Sequence, residues 1–202
     1  MAWTCEDGGI WSSTINKGET AEGDIVAKLY KTGNKITPSS LEGYESLPQF
    51  EEGDEYHLVI EGRGTMGDLR PDYQGTGWQE TTEMYYDGLS DTCIMPYVSK
   101  VIIGEGIENL GDRAFWGDTG LKNVILSNSV IGIDCNAFYD CTSLAKVKIL
   151  STGIGFGNTT FNNLVPNAKI YVLTSVTKAR ADASMNGTAT VEVVTEEQMN
   201  SL

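Results

Sequence analysis

A chain of 202 residues, 40% hydrophobic and 21% charged, has the composition of one globular domain or two small ones, with room for a continuous core. A formal net charge of −14 argues against nucleic-acid binding, because phosphate contacts need a basic footprint, and it disfavours an anionic membrane surface. No stretch approaches the roughly 18 uninterrupted apolar residues that span a bilayer, so no membrane insertion is expected.

The opening residues, MAWTCEDGG, carry neither the basic nor the apolar segment of a secretory signal. Either a signal has been removed, or the protein leaves its cell by another route, as a virion component released by lysis does. Residues 24–30 (DIVAKLY) and 56–60 (YHLVI) place apolar side chains at near-alternating positions and are expected as strands. The acidic stretch 37–55 reads as a loop or insertion, and 62–68 (GRGTMGD) as a turn-rich connection. Residues 68–97 hold Trp78, Tyr85, Tyr86 and Tyr97 without a clear period.

From Val101 onward the chain repeats every 23 residues. Val101, Val124, Val147 and Ile170 keep that step, as do Ile103, Leu126, Ile149 and Val172, and Phe115, Phe138 and Phe161. Ile107 and Val130 follow it too, with Leu110, Ile133 and Phe156, and with Leu121 and Leu144. One short strand per unit at this period is the mark of a leucine-rich-repeat solenoid, whose units stack and present a broad surface. Within each strand, alternate residues face opposite sides, so Val101 and Ile103 with their periodic partners point inward. The phenylalanines fill the far side of the core, each after a small residue (Ala114, Ala137, Thr160). The third unit degenerates from Gly153 onward. Residues 174–184 are expected as a short helix and 189–194 as a last strand, together a cap over the exposed end of the core. The expected organisation is a β-rich acidic region at 1–98, repeats at 99–173, and a cap and tail at 174–202. The fold class is a β-rich α/β solenoid. Charge follows the same division. Residues 1–98 carry 18 acidic and six basic side chains, 99–173 six of each, and the last 29 residues a net −2.

Catalytic signals are weak. His57 is the sole histidine, and no nucleophile elbow, zinc-protease motif or Asp-rich calcium loop occurs. The spacing Gly62-x-Gly64-x-x-Gly67 imitates a dinucleotide fingerprint without the βαβ unit that would give it meaning. Cys5, Cys93, Cys135 and Cys141 lack metal-site spacing, so neither a metal nor a cofactor is expected. Cys135 and Cys141 read as free thiols filling small spaces, and a Cys5–Cys93 disulfide stays open.

The unit pattern V-x-I, then V/I-x-x-I/L, then A-F-x-x-C/D-x-x-L resembles the BspA-like leucine-rich repeats of host-associated bacteria and some protozoa. Residues 58–66 (LVIEGRGTM) resemble the segment that often precedes such repeats, and 170–172 followed by a helix resembles their usual ending. The resemblance covers about 58–194; the third unit departs from it with Thr160-Phe161. It implies adhesion or ligand binding without catalysis and fixes no ligand.

Two ladders follow from the period. Ile102, Ile125, Lys148 and Tyr171 alternate with the core residues and face outward; Lys100, Asn123, Lys146 and Lys169 lie two positions before them. This partly basic, partly apolar strip is the expected ligand surface, for an acidic protein segment or an anionic glycan. Trp116 and Tyr139, just after the Ala-Phe pair, form a second candidate contact, since exposed aromatic rows mark protein or sugar binding. The expected function is a non-enzymatic binding or adhesion module, extracellular or at a cell surface, with a protein or glycan ligand. The alternative is a bacteriophage virion protein of capsid or tail, held through residues 1–98.

Overall fold

The computed structural model describes residues 4–6, 10–16, 25–35, 54–66 and 97–202, with the backbone alone at 4–6, 10–16 and 35. The expectations for most of 37–55, for Trp78, Tyr85 and Tyr86, and for a Cys5–Cys93 disulfide lie outside those residues. Thirteen strands and two helices are described. They are β1 (Thr4–Glu6), β2 (Ile10–Asn16), β3 (Ile25–Lys35), β4 (Asp54–Glu61), β5 (Gly64–Thr65), β6 (Val98–Ile103), β7 (Ile107–Leu110) and β8 (Asn123–Leu126). There follow β9 (Gly132–Ile133), β10 (Lys146–Ile149), β11 (Gly155–Phe156), β12 (Lys169–Val172), α1 (Ser175–Ala183), β13 (Thr190–Val193) and α2 (Glu196–Ser201).

Nine strands form one sheet in the order β1-β2-β3-β4-β6-β8-β10-β12-β13, and β11-β9-β7-β5 form a second. β1 to β4 pair antiparallel; from β4 to β13 every pairing is parallel. The result is a β-solenoid of about four turns with a period of about 23. Each turn runs from the long sheet to the short one, then through a Phe-bearing turn back to the next strand.

The inner face of the long sheet is apolar without interruption: Leu58 and Ile60, Val101 and Ile103, Val124 and Leu126, Val147 and Ile149, Ile170 and Val172 are all buried. Ile107, Leu110, Val130 and Ile133 oppose them from the short sheet and its approach. Phe115, Phe138 and Phe161 close the core. Their rings stack with centroids 5.2 and 5.6 Å apart and planes 7° from parallel. The repeat distance of the rings follows the strand spacing of about 4.8 Å, because each ring hangs from the same point of successive coils.

The turn around each Phe is built for this. The residues two before it (Arg113, Asn136, Thr159) and two after it (Gly117, Asp140, Asn163) all have positive φ. Gly, Asn and Asp take that conformation readily, which explains four of the six. Backbone N–H groups of one coil bond carbonyls of the next: Phe115 N donates to Ala137 O (2.7 Å) and Phe138 N to Thr160 O (3.0 Å). Such bonds satisfy backbone groups that no strand pairs. Coils approach so closely that a Cβ on Gly157 would lie 2.4 Å from Cys135 N.

The acidic composition of 37–55 reads as loop, yet β4 begins at Asp54. Asp54 is buried and forms an ion pair with Lys31 of β3. A partnered carboxylate tolerates burial that composition alone does not reveal. The expected helix is α1, N-capped by Thr174, whose Oγ1 accepts from Thr177 N (3.1 Å). The last strand is β13. Cys135 and Cys141 are free thiols, as expected; Cys141 is buried and its Sγ donates to Phe115 O at 2.9 Å. The periodic pattern gives no sign of α2.

Candidate ligand-binding face

Strand register converts the two expected ladders into rows. The first runs His57, Lys100, Asn123, Lys146, Lys169, Thr190 across β4, β6, β8, β10, β12 and β13. The second runs Val59, Ile102, Ile125, Lys148, Tyr171, Glu192 across the same strands. Neighbours within a row stand about 4.8 Å apart on the outer face of the long sheet. Apart from Thr190, which is exposed, all of these side chains are half-buried. On β3, Tyr30 pairs with His57 and Lys28 with Val59, which carries both rows one strand further. Sequence periodicity missed His57 and Val59.

Adjacent like charges on a sheet repel, and the structure relieves most of them with separate acceptors. Lys169 pairs with Glu192 on the neighbouring strand, and this partner raises its pKa. Lys148 Nζ donates to Met199 O at 3.0 Å, and Lys146 Nζ to Leu202 O at 2.9 Å. Lys28 pairs with Glu61 at 2.8 Å. Lys100 has no acceptor among the described residues. Its charge is felt by its neighbours. Desolvation first, then Lys100, lowers the pKa of His57; desolvation, Lys146 and Lys100 lower that of Lys148. Beside this strip, Glu55 accepts from Thr32 Oγ1 and Asn34 Nδ2, both at 2.8 Å. Hydrogen bonds, with Ser99 the strongest, hold the pKa of Glu55 down to about 2.

The outer face therefore has two halves. Around β4, β6 and β8 it presents His57, Lys100, Asn123, Ile102 and Ile125. Around β10 to β13 its lysines are engaged by Glu192 and by the main-chain oxygens of Met199 and Leu202. α2 lies over the second half. It opens with a capping box, in which Thr195 Oγ1 accepts from Gln198 N (3.2 Å) and Gln198 Oε1 from Thr195 N (2.9 Å). The capping box is legible in the sequence as Thr195-x-x-Gln198. Met199 is 2% exposed, yet it does not belong to the main hydrophobic cluster. Its burial contributes roughly 1.5–3 kcal/mol to seating the helix.

Trp116 and Tyr139 lie elsewhere, in the turns that return the chain from the short sheet to the long one. Trp116 is 43% exposed, with the Arg113 guanidinium 5.6 Å from its ring centroid. Tyr139 Oη accepts from Asn163 Nδ2 at 3.2 Å. The two aromatics share a column, but the structure does not bring them to the lysine rows.

A stacked array of 23-residue β units around a phenylalanine column, with two-residue ladders on its outer face, defines a leucine-rich-repeat protein. Residues 95–202 match the family model described as BspA type leucine rich repeat region (6 copies), and the chain belongs to that family. Two solved structures are similar. One is a leucine-rich repeat protein from Eubacterium ventriosum ATCC 27560, 16% identical, with a TM-score of 0.46 over 90% of this chain and 40% of that one. The other is the T. pallidum leucine rich repeat protein TpLRR, 14% identical, with a TM-score of 0.35 over 76% of this chain and 64% of that one. The chain thus spans less than two thirds of either. No curated protein matches it. Leucine-rich-repeat proteins of this type are generally non-enzymatic, typically bind protein partners, and are usually surface-exposed. The fold is consistent with a protein-binding or adhesion module. No helix among the described residues is long and apolar enough to cross a membrane.

Proposed function

We propose that the protein is a non-enzymatic adhesion module that contacts a protein ligand at a cell surface through the open half of its outer face. Lys100 carries this reading. It is a cation without an acceptor among the described residues, set between His57 and Asn123 in its own row and beside Ile102 and Ile125 in the next. A charge flanked by apolar side chains suits an acidic protein segment with apolar residues of its own, because both terms strengthen as water leaves. Lys146, Lys148, Lys169 and Tyr171 extend the surface on the α2 side, and Trp116 and Tyr139 stand outside it.

The test is binding of the fluorescently labelled full chain to bacterial and host cells, read by flow cytometry. Lys100→Glu with Ile125→Glu lowers binding at least about tenfold, equivalent to about 1.4 kcal/mol, while Trp116→Ala leaves it within about twofold. Protease treatment of the cells abolishes binding. Retention after protease and loss after glycosidase would make the ligand a glycan. Undiminished binding by the double variant would sink the assignment of this face, and recovery of the chain in released viral particles would replace adhesion with a virion role.

A further inference from the structure

The C-terminal helix deepens the adhesion reading, and the role assigned to it rests on that reading. β13 lies at the edge of the long sheet, beside β12. From there the chain turns back over the outer face, so that Met199 O and Leu202 O meet lysines of β10, two strands inward. The contacts share one chemistry. Lys148 donates to the Met199 carbonyl in the last turn of α2, and Lys146 to the main-chain oxygen of Leu202 just past it, where unpaired main-chain oxygens and the helix dipole favour cations. Met199, in the last turn, is the one side chain of α2 that is buried; its neighbours Glu196, Glu197, Gln198, Asn200 and Ser201 are exposed. Six residues make no stable helix alone, so the helix exists because it is tethered and seated.

We propose that α2 is a strap seated in cis on the Lys146–Lys148 half of the outer face, and that it competes there with the protein ligand. The ligand segment that fits is a short acidic helix with one apolar side chain in its last turn. It displaces α2 by offering the same carbonyls to the same lysines while reaching the open half around Lys100. The strap has the advantage of high effective concentration, which a ligand engaging both halves overcomes.

Amine acetylation of the full chain, read lysine by lysine by mass spectrometry, tests this without any cell. In the unaltered chain Lys146 and Lys148 react several-fold more slowly than Lys100. The lowered pKa of Lys148 would by itself speed its reaction, so slowness reports cover by the strap. Met199→Asp removes the protection, with Met199→Ser as a milder second variant and circular dichroism confirming that the solenoid is folded. A blocked synthetic peptide of residues 195–202, added at millimolar concentration, restores protection in both variants and changes little in the unaltered chain. Equal reactivity of all three lysines in the unaltered chain, or protection that survives both substitutions, would overturn the strap. A peptide that restores nothing would overturn the competition. In the flow assay Met199→Asp raises cell binding several-fold; unchanged or weaker binding contradicts masking. Loss of binding on Lys100→Glu with a failed acetylation result leaves the adhesion face standing and removes the strap alone.

Discussion

Asp118 occupies the position that the next two coils fill with Cys141 and Leu164. The residue as a whole is half-buried, but its Oδ2 is buried and has no hydrogen-bond partner among the described residues. Burial pushes its carboxyl pKa well above the ordinary value, and the same desolvation raises that of the Cys141 thiol. A raised native pKa means that the folded state holds a proton the unfolded state releases. Stability from this group is therefore full below the ordinary carboxylate range and falls as pH climbs from there toward the native value. Asp118→Cys, copying the neighbouring coil, stabilises by about 1–2 kcal/mol at pH 7, because an unsatisfied polar group leaves the core. Chemical denaturation at pH 7 and pH 4 checks it: the gain shrinks at the lower pH, where protonation of the unfolded carboxyl narrows the difference between the two states. An equal gain at both pH values would locate the effect in packing rather than ionisation. Glu55 acts in the other direction. Its lowered pKa contributes stability above the ordinary range that is lost as pH falls toward about 2.

At the scale of the element, the coil is the unit, and its phenylalanine is the side chain that neighbouring coils share. Phe138 stacks on Phe115 on one side and Phe161 on the other. Phe138→Ala leaves a cavity that neither neighbour can fill without leaving its own coil, and is expected to cost about 3–5 kcal/mol. A urea denaturation midpoint unchanged by the substitution would contradict the stacked column. The period makes these elements legible in the sequence: the inward pairs and the phenylalanine column follow from residues 23 apart, and the capping helix and strand from where that pattern breaks. The register that links β4 to β6 is not legible there. His57 and Lys100 are partners at a separation of 43 residues, which the 23-residue period does not mark. The start of α2 is readable from Thr195 and Gln198. Its seat on β10 is not, because a helix of six residues goes where tertiary contacts take it.

Across the whole molecule, charge and shape are divided. A chain of net charge −14 gathers Lys28, His57, Lys100, Lys146, Lys148 and Lys169 on one face of one sheet. Adding 23 to Lys100 and Ile102 finds most of the candidate face. It cannot find which lysines are engaged, since Glu192 and the carbonyls of α2 reach them from outside the repeat. The ladder thus divides into a half near Lys100, where no described residue accepts from the lysine, and a half engaged by Glu192, Met199 and Leu202. The central claim, that the outer face receives the ligand, is tested most directly by carbene footprinting of the full chain, free and bound to cells. The expected result is that the strand peptides bearing Ile102 and Ile125 lose label on binding, while the turn bearing Trp116 keeps it. Loss of label at Trp116 and Tyr139, with the ladder labelled as before, would contradict the account and move the binding surface to the turns.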